Sequence, residues 1–412
     1  MKQEPPQTRR SRVGIPVLQG GEDVKEVDRP TSRPTAEQVL DAARALVPTI
    51  ADRAAEVEAA RRVPRDLLDA LVVAGCLRMV LPHSHGGVGA DLTDALRLFE
   101  TLAEADASVS WTVMIGGSAW IDLAGLPRAS FDALFARGPD VVVAGAFAPG
   151  GSISPADGGY RMTGRWGFVS GCEHADWLYG NAVEATADGV PQLRMAVFAP
   201  DEVQIEDTWT VLGLCGTGSH HIRVTDARVP VERTLRPLVD EPCLDEPVVR
   251  VPLPSLVALS VAGVAVGIAR GALADAVASA QERVPLLARA PACADPVFQA
   301  DLAAADTGLR AARALLYESA GAVWATAVAG EPFSLRQRAQ ARAAAVWATK
   351  QAVAVVEAAY RGGGGTAVYR SCPLQRRLRD VHAVTQHFLV RPNTMATAGA
   401  VLLGQDVDVP VF

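Results

Sequence analysis

The hydrophobic period of this chain changes twice, and the order of the changes restricts its architecture more than any other feature. From Thr35 to about Gly138 apolar residues recur at helical spacing, as in "AEQVLDAARALVPTIADRAAEVEAARRVP" and in "PRDLLDALVVAG", which opens on Pro and stops at Gly. The stretch "DLTDALRLFETLAEADASVSWTVMI" reads as a further long helix or a helix pair. Between about 140 and 245 the period falls to two. "DVVVAGAFA", "GYRMTGRWGFVS", "ADWLYGNAVEA", "LRMAVFAP" and "HHIRVTDARVP" are short alternating runs separated by Gly, Pro and Asp. Helical spacing returns near 250 and persists, with alanine-rich helices expected over 255–283, 297–329 and 334–360. Helices, then strands, then helices is an α+β order and not the alternation of a doubly wound sheet. It divides the chain into a disordered tail over 1–34, a helical domain over 35–139, a β-domain over 140–248 and a helical bundle over 249–412.

Composition removes several function classes. A net charge of −7 gives no basic surface for nucleic acid or an acidic membrane. The cysteines Cys76, Cys172, Cys215, Cys243, Cys293 and Cys372 lie far apart with no CxxC pair, which fits buried thiols in a reducing compartment better than disulfides or zinc. No GxGxxG or P-loop motif appears. "VPLPSLVALSVAGVAVGIA" (251–269) carries no charge, but Arg270 and Asp275 continue its pattern, so a buried bundle helix is expected in place of a membrane span. With no export signal, the protein is expected to be cytoplasmic. His83 and His85 form an H-x-H without a third ligand nearby, so no metal is expected.

Near the C-terminus "RRLRDVHAVTQHF" (376–388) sets two histidines, an Arg-Asp pair and an amide close together. Four other segments join it. "LPHSHGGVGADL", "GYRMTGRWGFVSGCEHADW", "LGLCGTGSHHIRVTDARVP" and "VAGVAVGIARGALADA" resemble, in order and spacing, motifs of the acyl-CoA dehydrogenase superfamily over roughly residues 35–405. The resemblance implies a β-barrel or sandwich-like central domain, a C-terminal four-helix bundle, a flavin held between them, and a homotetramer. A dehydrogenase of that superfamily needs a carboxylate base. Counting from Arg379 places Phe388 at its usual position, and no acid lies between Glu246 and Asp275, where other members carry it.

The pattern Arg379, Asp380, x6, His387 is similar instead to the two-component flavin monooxygenases of the superfamily, as is "WGFVSG" with Ser170. That resemblance implies an oxygenase component that takes reduced FAD or FMN from a separate reductase. It would form a C4a-hydroperoxyflavin with dioxygen, then hydroxylate or N-oxidise a small organic substrate. It makes His387, Ser170 and Asp380 the catalytic candidates, with Asp380 orienting His387. Trp166, Phe168, Val169, Ser170, Gly363, Gly364 and Arg379 would bind the flavin, Trp166 and Phe168 packing beside its ring. Trp111, Ser118 and His85 would line the substrate pocket. Ser118 stands where phenol-hydroxylating members often carry His, so an amine or a polycyclic substrate remains as open as a phenol.

On one continuous helix, His382 and His387 would lie on different faces, with His387 on the side of Asp380 and Val384. His382 would then serve as a supporting or subunit contact. Arg336, Arg338 and Arg342, at the head of a helix, are pyrophosphate candidates. The alternatives are a flavin dehydrogenase or oxidase acting on an unusual thioester or amine, and a non-catalytic flavin-binding scaffold.

Overall fold

The computed structural model describes residues 33–185 and 190–407. The expected disordered tail lies, through residue 32, outside them. The first helices are α1 (Ala36–Asp52), α2 (Ala54–Ala60), α3 (Arg65–Val73), α4 (Leu92–Ala105), α5 (Ala107–Ser118) and α6 (Arg128–Leu134). Their starts have local causes. The Thr35 hydroxyl accepts from the Gln38 amide while the Gln38 side chain accepts from Thr35 N–H, a reciprocal cap on α1. The long stretch 91–115 is a helix pair because Asp106 leaves the helical region at φ −150°. Its carboxylate accepts from Val109 N–H at 3.0 Å, which starts α5 on a new axis.

The strands are β1 (Val143–Ala156), β2 (Gly159–Val169), β3 (Trp177–Glu184), β4 (Gln192–Phe198), β5 (Gln204–Glu206), β6 (His220–Pro230) and β7 (Thr234–Leu235). They form one mixed sheet in the order β5-β6-β2-β1-β3-β4-β7, with only β1 and β3 parallel. This one mixed sheet is the expected barrel- or sandwich-like central domain. It is not flat. Three strand spacings, about 14 Å, would separate β2 from β4 in a flat sheet. Yet the rings of Trp166 on β2 and Phe198 on β4 lie 6.5 Å apart. The Trp166 indole N–H donates to the Asn181 carbonyl on β3 at 2.7 Å, so the sheet curls around this side chain.

The C-terminal part holds α7 (Pro247–Arg250), α8 (Leu253–Glu282), α9 (Pro296–Ala329), α10 (Leu335–Gly362), α11 (Pro373–Val384) and α12 (Asn393–Leu402), with α8, α9, α10 and α11 packed as four helices. The uncharged start of α8 is core: 83% of its most apolar window is buried inside the protein. A Cβ at Gly267 would stand 2.4 Å from the Glu100 carbonyl, so glycine is what lets α4 and α8 touch backbone to backbone. The Glu100 carboxylate, 1% exposed, holds the same junction together. It accepts from Arg270 at 2.8 Å, from Arg313 at 2.8 Å and 2.9 Å, and from the Tyr317 hydroxyl at 2.5 Å. The six thiols are all free, but only Cys76 and Cys172 are buried.

Candidate functional site

Strand β2 loses its alternation just before its end, and the site begins there. Trp166 pairs with Ile222 and Val169 with His220, so Gly167 and Phe168 together face His221 alone. This bulge takes Phe168 to φ +62°, a region bulky residues avoid. It turns the Phe168 ring outward to 75% exposure, edge-on to Trp209 at 6.0 Å, and sends Val169 into the β-domain core. Trp166, expected beside a flavin ring, is instead the buried centre around which the sheet curls. Of the two aromatic candidates, Phe168 alone presents a free face.

Ser170 follows the bulge and is buried. Its hydroxyl accepts from the Trp111 indole N–H on α5 at 3.0 Å and touches the Ser219 hydroxyl at 2.8 Å. Ser219 reaches the Thr217 hydroxyl at 2.6 Å, and Thr217 donates to the Leu214 carbonyl at 2.9 Å. The loop 212–219 that carries these hydroxyls is docked on the helices. Asp380 on α11 accepts from Leu214 N–H at 2.7 Å, Ser108 on α5 accepts from Gly216 N–H at 3.1 Å, and Gly171 N–H donates to the Thr217 carbonyl at 2.8 Å.

His387 lies on the other side of Trp111. The two rings meet edge-on at 5.7 Å, and the His387 ring stacks on the half-exposed Phe388 at 5.0 Å. The continuous helix expected through 376–388 stops at Val384, so facial spacing does not govern His387. It caps the short turn Phe388–Val390, its Nδ1 accepting from Leu389 N–H at 3.4 Å. With Nδ1 so engaged, the neutral ring presents Nε2–H. Burial first, then the Arg342 and Arg391 guanidinium groups, push its pKa down to about 4. It is therefore uncharged at neutral pH. Arg342, expected at a pyrophosphate, is itself buried and donates to the Leu389 carbonyl at 3.4 Å, bracing the turn that His387 starts.

Asp380 does not orient His387 as expected; its carboxylate accepts from the loop, at Leu214 N–H. Burial, then repulsion from Asp106, push its carboxyl up to about 7 against the lowering by Leu214 N–H, Arg376 and Arg379. Arg379, expected at the flavin, ties helices together by pairing with Glu58 at 2.8 Å, and donates to the Leu212 carbonyl at 2.7 Å. His382 stands at 3.3 Å from Glu357 on α10 with both side chains partly exposed. Gly363 packs on Leu374, and Gly364 turns the chain at φ +57° beside Arg283.

In the expected substrate pocket, Trp111 alone is brought to the site. Ser118 bonds back to the Met114 carbonyl. His85 packs between Phe131 and Phe135 and meets Asp132 at 2.9 Å, on the α6 side of the helical domain. Ser219 and Thr217, both in "GTGS", join the site without having been among the residues expected there. A cavity of about 520 Å³ between α9, α10 and Met395 lies away from this cluster.

A flavin fits these residues. Phe168 offers an uncovered ring, and Ser170 beside it keeps a lone pair unused after Trp111 and Ser219 are served.

Comparison with known proteins agrees. Residues 33–125 match the family model described as acyl-CoA dehydrogenase, N-terminal domain, and 259–392 the one for its C-terminal domain. Indole-3-acetate monooxygenase of Pseudomonas putida is 33% identical over 91% of this chain and 94% of its own. The oxygenase component of an FADH2-dependent resorcinol hydroxylase from Rhizobium sp. is 30% identical over 86% and 90%. The crystal structure of 3-HSA hydroxylase from Rhodococcus sp. RHA1 superposes with a TM-score of 0.85 at 29% identity, covering 91% of this chain and 99% of that one. The chain belongs to the acyl-CoA dehydrogenase superfamily, and within it is the oxygenase subunit of a flavin-dependent monooxygenase.

Proposed function

We propose that this subunit hydroxylates a small aromatic substrate bound against Trp111 and His387, using reduced FAD or FMN delivered by a separate reductase. Reduced flavin, when bound, supplies the electrons with which dioxygen is split between product and water. The chain's own residues do the remaining work. Phe168 would support the flavin, Val169 being turned away into the β-domain core, and Ser170 would hold a hydrogen bond to it in a place closed to water. His387, kept neutral by burial and two arginines, would offer Nε2–H to an oxygen atom without carrying charge into the pocket. The buried Trp111 gives an aromatic substrate a flat, dry wall. One observation carries this assignment: Trp111 touches both Ser170 and His387, so a single indole joins the cofactor side to the substrate side.

The relatives named for indole-3-acetate and resorcinol favour an aromatic ring over an amine. The absence of His at Ser118 then points to an aromatic that needs no imidazole there. A homotetramer completes the proposal. Leu286 and Leu287 between α8 and α9, and Val368 and Tyr369 after the four glycines 362–365, form apolar surface that a second copy would cover. Static light scattering should report four copies. The decisive assay supplies a flavin reductase, NADH and dioxygen with a panel of phenols, indoles and aromatic amines. Hydroxylated product from a ring substrate supports the proposal; product from amines alone, or an acyl-CoA that bleaches bound flavin without dioxygen, overturns it.

A further inference from the structure

The hydroxyls behind Ser170 form a chain with distinct ends. At one end the Trp111 indole N–H can only donate, and it gives its hydrogen to Ser170 Oγ at 3.0 Å. At the other the Leu214 carbonyl can only accept, and Thr217 donates to it at 2.9 Å. Between them Ser170, Ser219 and Thr217 are linked at 2.8 Å and 2.6 Å. All three hydroxyl hydrogens find acceptors only if each points toward Leu214: Ser170 to Ser219, Ser219 to Thr217, Thr217 to the carbonyl. Ser170 is left with one unused lone pair and no free hydrogen.

We infer that Ser219 and Thr217 set the redox preference of the flavin site, by making Ser170 a hydrogen-bond acceptor. This rests on the hydrogen bond proposed above between Ser170 and the flavin, and places it at the flavin N5. Reduced flavin carries a hydrogen on N5 and oxidised flavin carries only a lone pair. With reduced flavin the row makes four hydrogen bonds: N5–H to Ser170, then the three already present. Oxidised flavin needs a donor, so the row must reverse, from Thr217 to Ser219 to Ser170 to N5. The Thr217 bond to Leu214 is then lost and three remain. The Trp111 bond persists in both states. One hydrogen bond in a buried site therefore separates the two redox states, a preference for reduced flavin of about 5- to 10-fold from this device alone.

The same count predicts the variants. Ser219→Ala leaves Ser170 without an internal acceptor, so its hydrogen is free for oxidised N5 and each state makes two bonds. Thr217→Val, close in shape, removes the acceptor that orients Ser219, and again each state makes two. Both variants should lose the same factor, although only one of them touches Ser170.

The experiment measures anaerobic binding of oxidised and dithionite-reduced FAD and FMN to the full chain, and the midpoint potential of the bound flavin. Ser219→Ala and Thr217→Val should each lower the reduced-to-oxidised affinity ratio about 5- to 10-fold, which is a fall of about 20 to 30 mV for a two-electron couple. A general loss of packing weakens both states together and leaves the ratio and the potential in place. Wild-type selectivity for reduced flavin with an unchanged ratio in both variants overturns this inference and leaves the oxygenase assignment standing. Equal wild-type affinity for both states, or no flavin binding, overturns the placement of Ser170 at N5 and the inference with it. If one variant does not fold, the other decides.

Discussion

Asp380 is the buried carboxylate of the Arg-Asp pair, and replacing it by Asn separates its two roles. Its Oδ1 accepts from Leu214 N–H at 2.7 Å, a bond that an Asn carbonyl oxygen keeps. Its charge is what the surroundings resist: burial first, then Asp106, raise the carboxyl from the ordinary 3.8 to about 7. The folded protein thus holds this proton more tightly than the unfolded chain does. The sign follows. The carboxyl imposes no penalty below about pH 4, and stability is lost as pH rises through about 7. The gap between the two values sets a ceiling of about 4 kcal/mol, and relaxation of the charged state brings it to the order of 2 kcal/mol. Asp380→Asn should therefore match wild type near pH 4 and exceed it by that amount above pH 7.5. Arg376 and Arg379 face the same carboxyl and work against the effect. Asp106, itself raised mainly by burial, shares in it. Urea unfolding of both proteins in steps from pH 4.5 to 8 measures the difference and cancels every group common to both. A difference that does not change with pH would refute the charge argument. Asp380→Leu is the complement. It leaves Leu214 N–H buried without its acceptor and should cost about 1–3 kcal/mol relative to Asp380→Asn at every pH.

Other perturbations address the site and its frame. His387→Ala should keep the fold while reduced flavin is spent as hydrogen peroxide, with product falling about 10²–10⁴-fold. Paired assays of product and peroxide test this, and unchanged coupling would make His387 a cap for its turn and nothing more. Glu100→Ala strips Arg270, Arg313 and Tyr317 of their shared acceptor and should destabilise by about 3–5 kcal/mol, read as a fall in melting temperature. An unaltered melting temperature would show that water replaces the carboxylate. His85→Ala should leave KM and coupling where they were, because its ring meets Phe131, Phe135, Asp132 and Ser84; a raised KM would return it to the substrate pocket.

The order of helices and strands was legible because it rests on local periodicity, and so was the buried nature of α8, whose pattern runs on through Arg270 and Asp275. Residue roles failed where periodicity breaks. Strict alternation puts Trp166 and Phe168 on one face, but the bulge at Gly167 and Phe168 separates them, sending one inward and the other out. Gly167 inside a strand was the available sign of a bulge. The helical pattern runs on through His387, yet the helix ends at Val384 and Thr385 turns its hydroxyl back to the His382 carbonyl at 2.6 Å. "GTGS" was visible as a motif, but the contact between Ser219 and Ser170 spans 49 positions and no local pattern encodes it.

These irregular points share a physical cause. In a regular strand or helix, backbone donors and acceptors are consumed by the element and side chains face a solvent or core side fixed by the period. A site needs side chains from several elements aimed at one spot, with unused hydrogen-bonding capacity. Here that capacity comes from a bulged strand end at Ser170, a loop with Leu214 at φ +53° and Gly218 at φ +52°, and a helix that stops before His387. Only Trp111 lies in the middle of a regular element. It is correspondingly the rigid piece against which the others are set, donating to Ser170 on one side and meeting the ring of His387 on the other.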